Sequence, residues 1–137
     1  DKKEIEMAIT GSCACGEVTY EVDGELHDAA ACHCSMCRKA TGSHSSAFAL
    51  IEPGKLSWLS GEELLTHYQS SEAMGNFFCS RCGSPLAGTY QGVIGWITLG
   101  SVDGEPGVSV EKHVFMGSKA PWETNPGDVL QFDESAD

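Results

Sequence analysis

Gly11-Ser12-Cys13-Ala14-Cys15-Gly16-Glu17-Val18-Thr19-Tyr20-Glu21-Val22 joins a glycine-flanked pair of thiols to an alternating run. Val18, Tyr20 and Val22 alternate with Glu17, Thr19 and Glu21, the period of two that marks a half-buried strand. Upstream, residues 4–10 repeat the pattern with Ile5, Met7 and Ile9. Further strands are predicted at 46–51, 56–59, 64–69, 75–78, 86–90, 93–99 and 112–116. They are separated by turn residues such as Glu52-Pro53-Gly54, Ser60-Gly61 and Asp103-Gly104. One helical turn is predicted at 35–41, where Met36, Arg38, Lys39 and Ala40 favour helix and Gly42 supplies the exit. Strands at this spacing predict an all-β fold of stacked antiparallel sheets. The last residues, 133–137, read as disordered.

The thiols recur in three clusters: Cys13-x-Cys15, Cys32-x-Cys34-x-x-Cys37 and Cys79-x-x-Cys82. A closed structural zinc site takes four ligands, whereas a catalytic one keeps three and leaves a position open. Seven cysteines divide as four plus three. The first and third clusters make a four-thiolate set, and the middle cluster offers three thiolates with no cysteine left to close it. The expectation is one structural zinc and one reactive zinc. In a strand, residues i and i+2 face one side, so Cys13 and Cys15 would share one ion, as would Cys32 and Cys34. A CxxC turn brings Cys79 and Cys82 onto one edge of the same tetrahedron. Zinc held by the first and third clusters would tie together residues more than sixty positions apart.

Other uses of cysteine fit less well. Seven thiols leave one unpaired, and partners two or three residues apart rarely meet disulfide geometry. Buried free thiols belong inside apolar runs, but these lie beside Gly, Ser, His or Arg. A redox CxxC opens a helix after a strand, whereas Phe78-Cys79-Ser80-Arg81-Cys82-Gly83 reads as a knuckle.

Chemistry would sit in Cys32-His33-Cys34-Ser35-Met36-Cys37-Arg38-Lys39. Three thiolates on zinc leave a vacancy for water or an exogenous thiol, which coordination would deprotonate. His33 reads as packed or solvent-facing, pointing away from its flanking ligands. His44 is close enough in sequence to close the site as a structural zinc of three cysteines and one histidine, so both versions stand. Arg38 and Lys39 could offset thiolate charge or hold a ligand carboxylate, or could form a solvated helix end. Trp58, Trp96 and Trp122 read as packing residues, with Trp122 also a candidate for ligand contact. His113 reads as a strand histidine. No general base, GxSxG, P-loop or dinucleotide fingerprint is present.

At 137 residues the chain is expected to form one domain, residues 1–137. A formal charge of −12, from 20 acidic and 8 basic residues, argues against a nucleic-acid partner. No apolar run approaches the roughly 20 residues of a membrane span. Neither a membrane partner nor a signal peptide is expected, and reduced thiols fit the cytosol.

Four stretches occur in the order seen in glutathione-dependent formaldehyde-activating enzymes, a family this chain resembles over most of its length. They are Gly11-Ser12-Cys13-Ala14-Cys15-Gly16, the middle cluster with Thr41-Gly42-Ser43, the Cys79 knuckle and Lys119-Ala120-Pro121-Trp122. Tyr68-Gln69-Ser70-Ser71 also lies within the resemblance. It implies a β-tent fold, a structural zinc on Cys13, Cys15, Cys79 and Cys82, and a second zinc on Cys32, Cys34 and Cys37. It also implies a carbon-sulfur lyase that adds glutathione to formaldehyde. The implied partners are a small thiol, glutathione, and an aldehyde, with no catalytic residue named beyond the second zinc's ligands. Lys112 and Lys119, with Arg38 and Lys39, are the local cations that would admit an anionic thiol. The alternative is a non-enzymatic zinc module that uses the same fold for protein contact.

Overall fold

A computed structural model describes residues 8–135. Its strands are β1 (Ile9–Ser12), β2 (Thr19–Val22), β3 (His27–Cys32), β4 (Ser46–Leu50), β5 (Leu56–Ser60), β6 (Leu65–Gln69), β7 (Met74–Cys79), β8 (Pro85–Tyr90), β9 (Val93–Thr98), β10 (Val102–Asp103) and β11 (Lys112–Val114), with one α-helix, α1 (Ser35–Thr41). Short 3-10 turns fill several connections. The chain is mostly β-sheet. A four-stranded sheet runs β10-β1-β2-β5 and a seven-stranded sheet runs β11-β3-β4-β9-β8-β7-β6. Every pairing is antiparallel except β3 with β11, which is parallel. No helix among the described residues is long and apolar enough to cross a membrane.

Both sheets feed one buried cluster. Val18, Tyr20 and Val22 enter from β2 and the residue before it, and Ala29, Ala49, Leu86, Ile97 and Cys79 enter from the larger sheet. Trp58 spans the gap, its ring 6.0 Å from Tyr20 and 5.9 Å from Phe77, both near edge-to-face. Tyr20 is fully buried, and its hydroxyl lies 2.7 Å from Ser101 Oγ. Burial pushes the phenol up to about 12, against the opposing Ser101 hydrogen bond and assisted by Asp103.

Gly11 lies directly across the ladder from Tyr20, and a Cβ at that position would fall on the phenol ring. Gly11→Ala is therefore expected to destabilise the chain by roughly 1–3 kcal/mol, the range for overpacking a well-filled core. A lower denaturation midpoint with an unchanged denaturant dependence would show it. An unchanged midpoint would mean the ring shifts freely.

The alternating segments form strands close to their expected bounds, and the helix spans the expected 35–41 with Gly42 left-handed at φ 67° behind it. Of the strand predicted at 4–10, residues 4–7 lie outside the described residues, and β1 takes up from Ile9. Residues 133–135 belong to no strand or helix, and 136–137 also lie outside. Two strands carry no sequence signal. In β3, Ala29, Ala30 and Ala31 are buried on both faces, so polarity cannot alternate. β10 has two residues, too few to show a period. Trp122 corrects the packing expectation: it is 63% exposed, whereas Trp58 and Trp96 are half-buried.

Candidate functional site

Cys13 and Cys15 do not lie within a strand as expected, and of Cys32 and Cys34 only Cys32 does, whereas Cys79 and Cys82 form the expected turn. Cys13 and Cys15 follow the end of β1 in a turn closed by the Gly16 N–H donating to the Cys13 carbonyl at 3.0 Å. The third cluster forms a matching turn after β7, with the Gly83 N–H donating to the Cys79 carbonyl at 2.7 Å. Gly16 and Gly83 both need positive φ, 79° and 80°, which L side chains rarely adopt. Chain reversal rather than strand alternation thus places Cys13 and Cys15 on one side, as it does for Cys79 and Cys82. Ser84 links the turns: its hydroxyl accepts from the Ala14 N–H at 2.8 Å and lies 3.2 Å from Cys82 Sγ.

The sulfurs of Cys13, Cys15, Cys79 and Cys82 all lie within 4.8 Å of one another. Cys13 and Cys15 are 3.5 Å apart, and Cys15 and Cys79 are 3.9 Å apart. A tetrahedron of 2.3 Å Zn–S bonds has edges of about 3.8 Å. All seven cysteines are unbridged. The four thiols also perturb one another's protonation. Cys82 is held down at about 5, chiefly by the Ser84 hydroxyl and N–H. Cys15 is pushed up to about 11 although the Glu17 N–H lowers it, because burial and the three neighbouring thiols outweigh that bond. Four thiolates this close repel one another, and a divalent ion would relieve that repulsion. The donors fit zinc.

The second set is assembled at a helix start. Cys32 ends β3, Cys34 is the N-cap of α1, and Cys37 lies one turn inside it. Their three sulfurs fall within 4.8 Å of one another with no histidine in the set. The Cys37 N–H donates to Cys34 Sγ at 3.4 Å. Burial raises Cys34, but the amides of Cys37 and Met36 and the two neighbouring thiols outweigh it, so this thiol sits below its ordinary value. Burial drives Cys32 the other way, aided by the Cys34 thiol and opposed by the Cys34 amide and the Cys37 thiol, and burial with both neighbouring thiols raises Cys37. These donors too fit one soft cation.

Arg38 follows Cys37 and is half-buried. Its Nη2 donates to the Ser118 carbonyl at 3.4 Å, while its Nε is buried with no hydrogen-bond partner. Lys39 is exposed on the same helix, and Lys112 lies 3.9 Å from Asp28. A cleft of about 390 Å³ is lined by Cys13 together with Ser12, Thr41, Ser45, Ser46 and Ser84.

His33 is packed and His113 lies in a strand, as expected, and it is His44 that departs from the version in which it closes the middle cluster. His44 does not join Cys32, Cys34 and Cys37; its ring stacks on His33, with centroids 5.9 Å apart and planes within 8°. His33 is completely buried. Its Nδ1 lies 2.9 Å from Glu123 Oε1 and its Nε2 lies 2.9 Å from Nδ1 of His113, the β11 histidine. With Glu123 accepting, Nδ1 donates and Nε2 accepts from His113. Glu123 carries no sequence signal, being 90 positions from its partner in a stretch without periodicity.

Residues 8–118 match the sequence model of the family described as glutathione-dependent formaldehyde-activating enzyme. A Halomonas elongata protein provisionally named as such an enzyme is 33% identical over 86 residues, covering 58% of this chain and 55% of that protein. The chain thus aligns with about half the length of that relative. A crystal structure of a Rhodobacter sphaeroides protein is similar at a TM-score of 0.56 and 29% identity, covering 76% of this chain and 98% of the other.

Proposed function

The chain belongs to the family of glutathione-dependent formaldehyde-activating enzymes, and from that premise we propose that it is a zinc-dependent carbon-sulfur lyase joining glutathione, or a similar thiol, to formaldehyde or a related aldehyde. In this reading residues 1–137 work as one cytosolic domain of the β-tent type. Cys13, Cys15, Cys79 and Cys82 hold a structural zinc, and Cys32, Cys34 and Cys37 hold the reactive one. The observation that carries the proposal is the gathering of three sulfurs at the start of α1 with no fourth donor in the set.

Zinc held there would be a Lewis acid that takes an exogenous thiol in its ionised form. The chain's own groups limit the cost of collecting negative charge. The first amides of α1 face Cys34, and the Arg38 guanidinium adjoins Cys37 in sequence. The half-buried Arg38 guanidinium would supply positive charge for a carboxylate of the incoming tripeptide. In the addition, the thiol sulfur bonds the carbonyl carbon and the carbonyl π pair moves to oxygen. That oxygen takes one proton from solvent, replacing the one the thiol released.

Glutathione is expected to change the visible absorption of cobalt-substituted protein, and S-methylglutathione, which lacks a free thiol, is not. Identical spectra with and without glutathione would remove the enzyme reading. They would favour a protein-contact module, for which the exposed Phe115, Trp122 and Leu130 are the supporting observation.

A further inference from the structure

We propose that His33, His44 and Glu123 form a third cation site, built of nitrogen and oxygen donors and separate from both sulfur sets, that binds a borderline divalent ion such as Zn²⁺, Co²⁺ or Ni²⁺. One ligand atom from each residue lies within 4.8 Å of the other two. The 2.9 Å between His33 Nδ1 and Glu123 Oε1 suits two ligands of one ion. Bonds of 2.0–2.1 Å at a right angle put their donor atoms about 2.9 Å apart. Two imidazoles with one carboxylate select transition ions over Mg²⁺ or Ca²⁺.

The surroundings supply what such a site needs. A metal-binding imidazole is oriented by a hydrogen bond at its other nitrogen, and His113 makes that bond to His33 Nε2 at 2.9 Å. When the ion takes Nδ1, the His33 proton resides on Nε2 and is donated to His113 Nδ1. His113 then carries its own proton on Nε2, so each ring changes tautomer and no proton is lost overall. His33 is wholly buried and Glu123 is 14% exposed at its side chain, whereas His44 is exposed on the loop after α1. Its Nδ1 now lies 2.8 Å from Ser45 Oγ and its ring lies parallel to that of His33, so the exposed ring has to leave this contact and turn to aim a nitrogen at the ion. The exposed side leaves coordination positions open to water or a small ligand.

The test is cobalt titration of the untagged full chain, followed by equilibrium dialysis and elemental analysis. Thiolate-bound cobalt shows sulfur-to-metal charge-transfer absorption, and cobalt at the proposed site adds only ligand-field bands. Loss of the sulfur-bound ions would therefore count against the proposed function and not against this site. Wild-type protein is expected to bind an ion beyond those marked by charge transfer. Glu123→Gln and His44→Ala should weaken that ion at least tenfold while keeping the charge-transfer bands. His113→Ala should weaken it about 10- to 100-fold, as loss of an orienting partner does. His44 is exposed, so His44→Ala tests the site without threatening the core. Saturation with sulfur-bound ions alone, or unchanged binding of the extra ion in His44→Ala and Glu123→Gln, would overturn the proposal.

Discussion

Cys79→Ser is expected to lose native near-UV circular dichroism, as is wild-type protein stripped of metal by exhaustive chelation. Cys79 is fully buried at the end of β7, and its sulfur lies 3.9 Å from that of Cys15. The turn bearing Cys15 extends from the four-stranded sheet, and Cys79 ends a strand of the seven-stranded one, so an ion between them fastens the sheets together. Structural zinc contributes about 10–16 kcal/mol of apparent binding energy in small peptides, as much as the roughly 5–15 kcal/mol that separates a domain from its unfolded state. Serine nearly matches cysteine in size but coordinates zinc poorly, and it leaves a hydroxyl in an apolar interior. A chain that keeps its spectrum after elemental analysis has verified zinc loss would show that the core alone suffices.

Cys37→Ser should have the opposite profile, abolishing the glutathione-dependent change in the cobalt spectrum while leaving a folded chain. Helix α1 buries none of its residues, and Cys37 is only partly covered, so little of the core depends on that sulfur. Removing it leaves Cys32 and Cys34, too few donors to hold an ion in a defined open geometry. Thermal unfolding and thiol titration on the same sample separate the two effects. Equal damage to the fold from Cys37→Ser and Cys79→Ser would refute the division into a structural and a reactive set.

The family, the mostly β architecture and the helix at 35–41 could be read along the chain because their signals are local. Val18, Tyr20 and Val22 declare a buried face within five residues, and Gly42 ends a helix through its own φ of 67°. The cysteine clusters are equally local, the first and third each a turn with its glycine alongside and the middle one a strand end running into a helix start. Burial on both faces silenced β3, since Ala29, Ala30 and Ala31 meet neighbours above and below the sheet. Trp122 was misread because tryptophan's size favours burial, and only the path of the chain leaves it in solvent.

Composition and short-range spacing were enough to establish which chemistry is available here: soft donors in sets of four and three, spaced closely enough along the chain for each cluster to meet locally. Three-dimensional packing settled which side chains meet. It moved His44 from the neighbourhood of Cys37 onto His33, and it brought Glu123 and His113 to the same imidazole from 90 and 80 positions away. Periodicity and turn propensity act over a few residues, whereas contacts across such separations depend on how whole sheets pair and pack, which no short stretch of residues encodes.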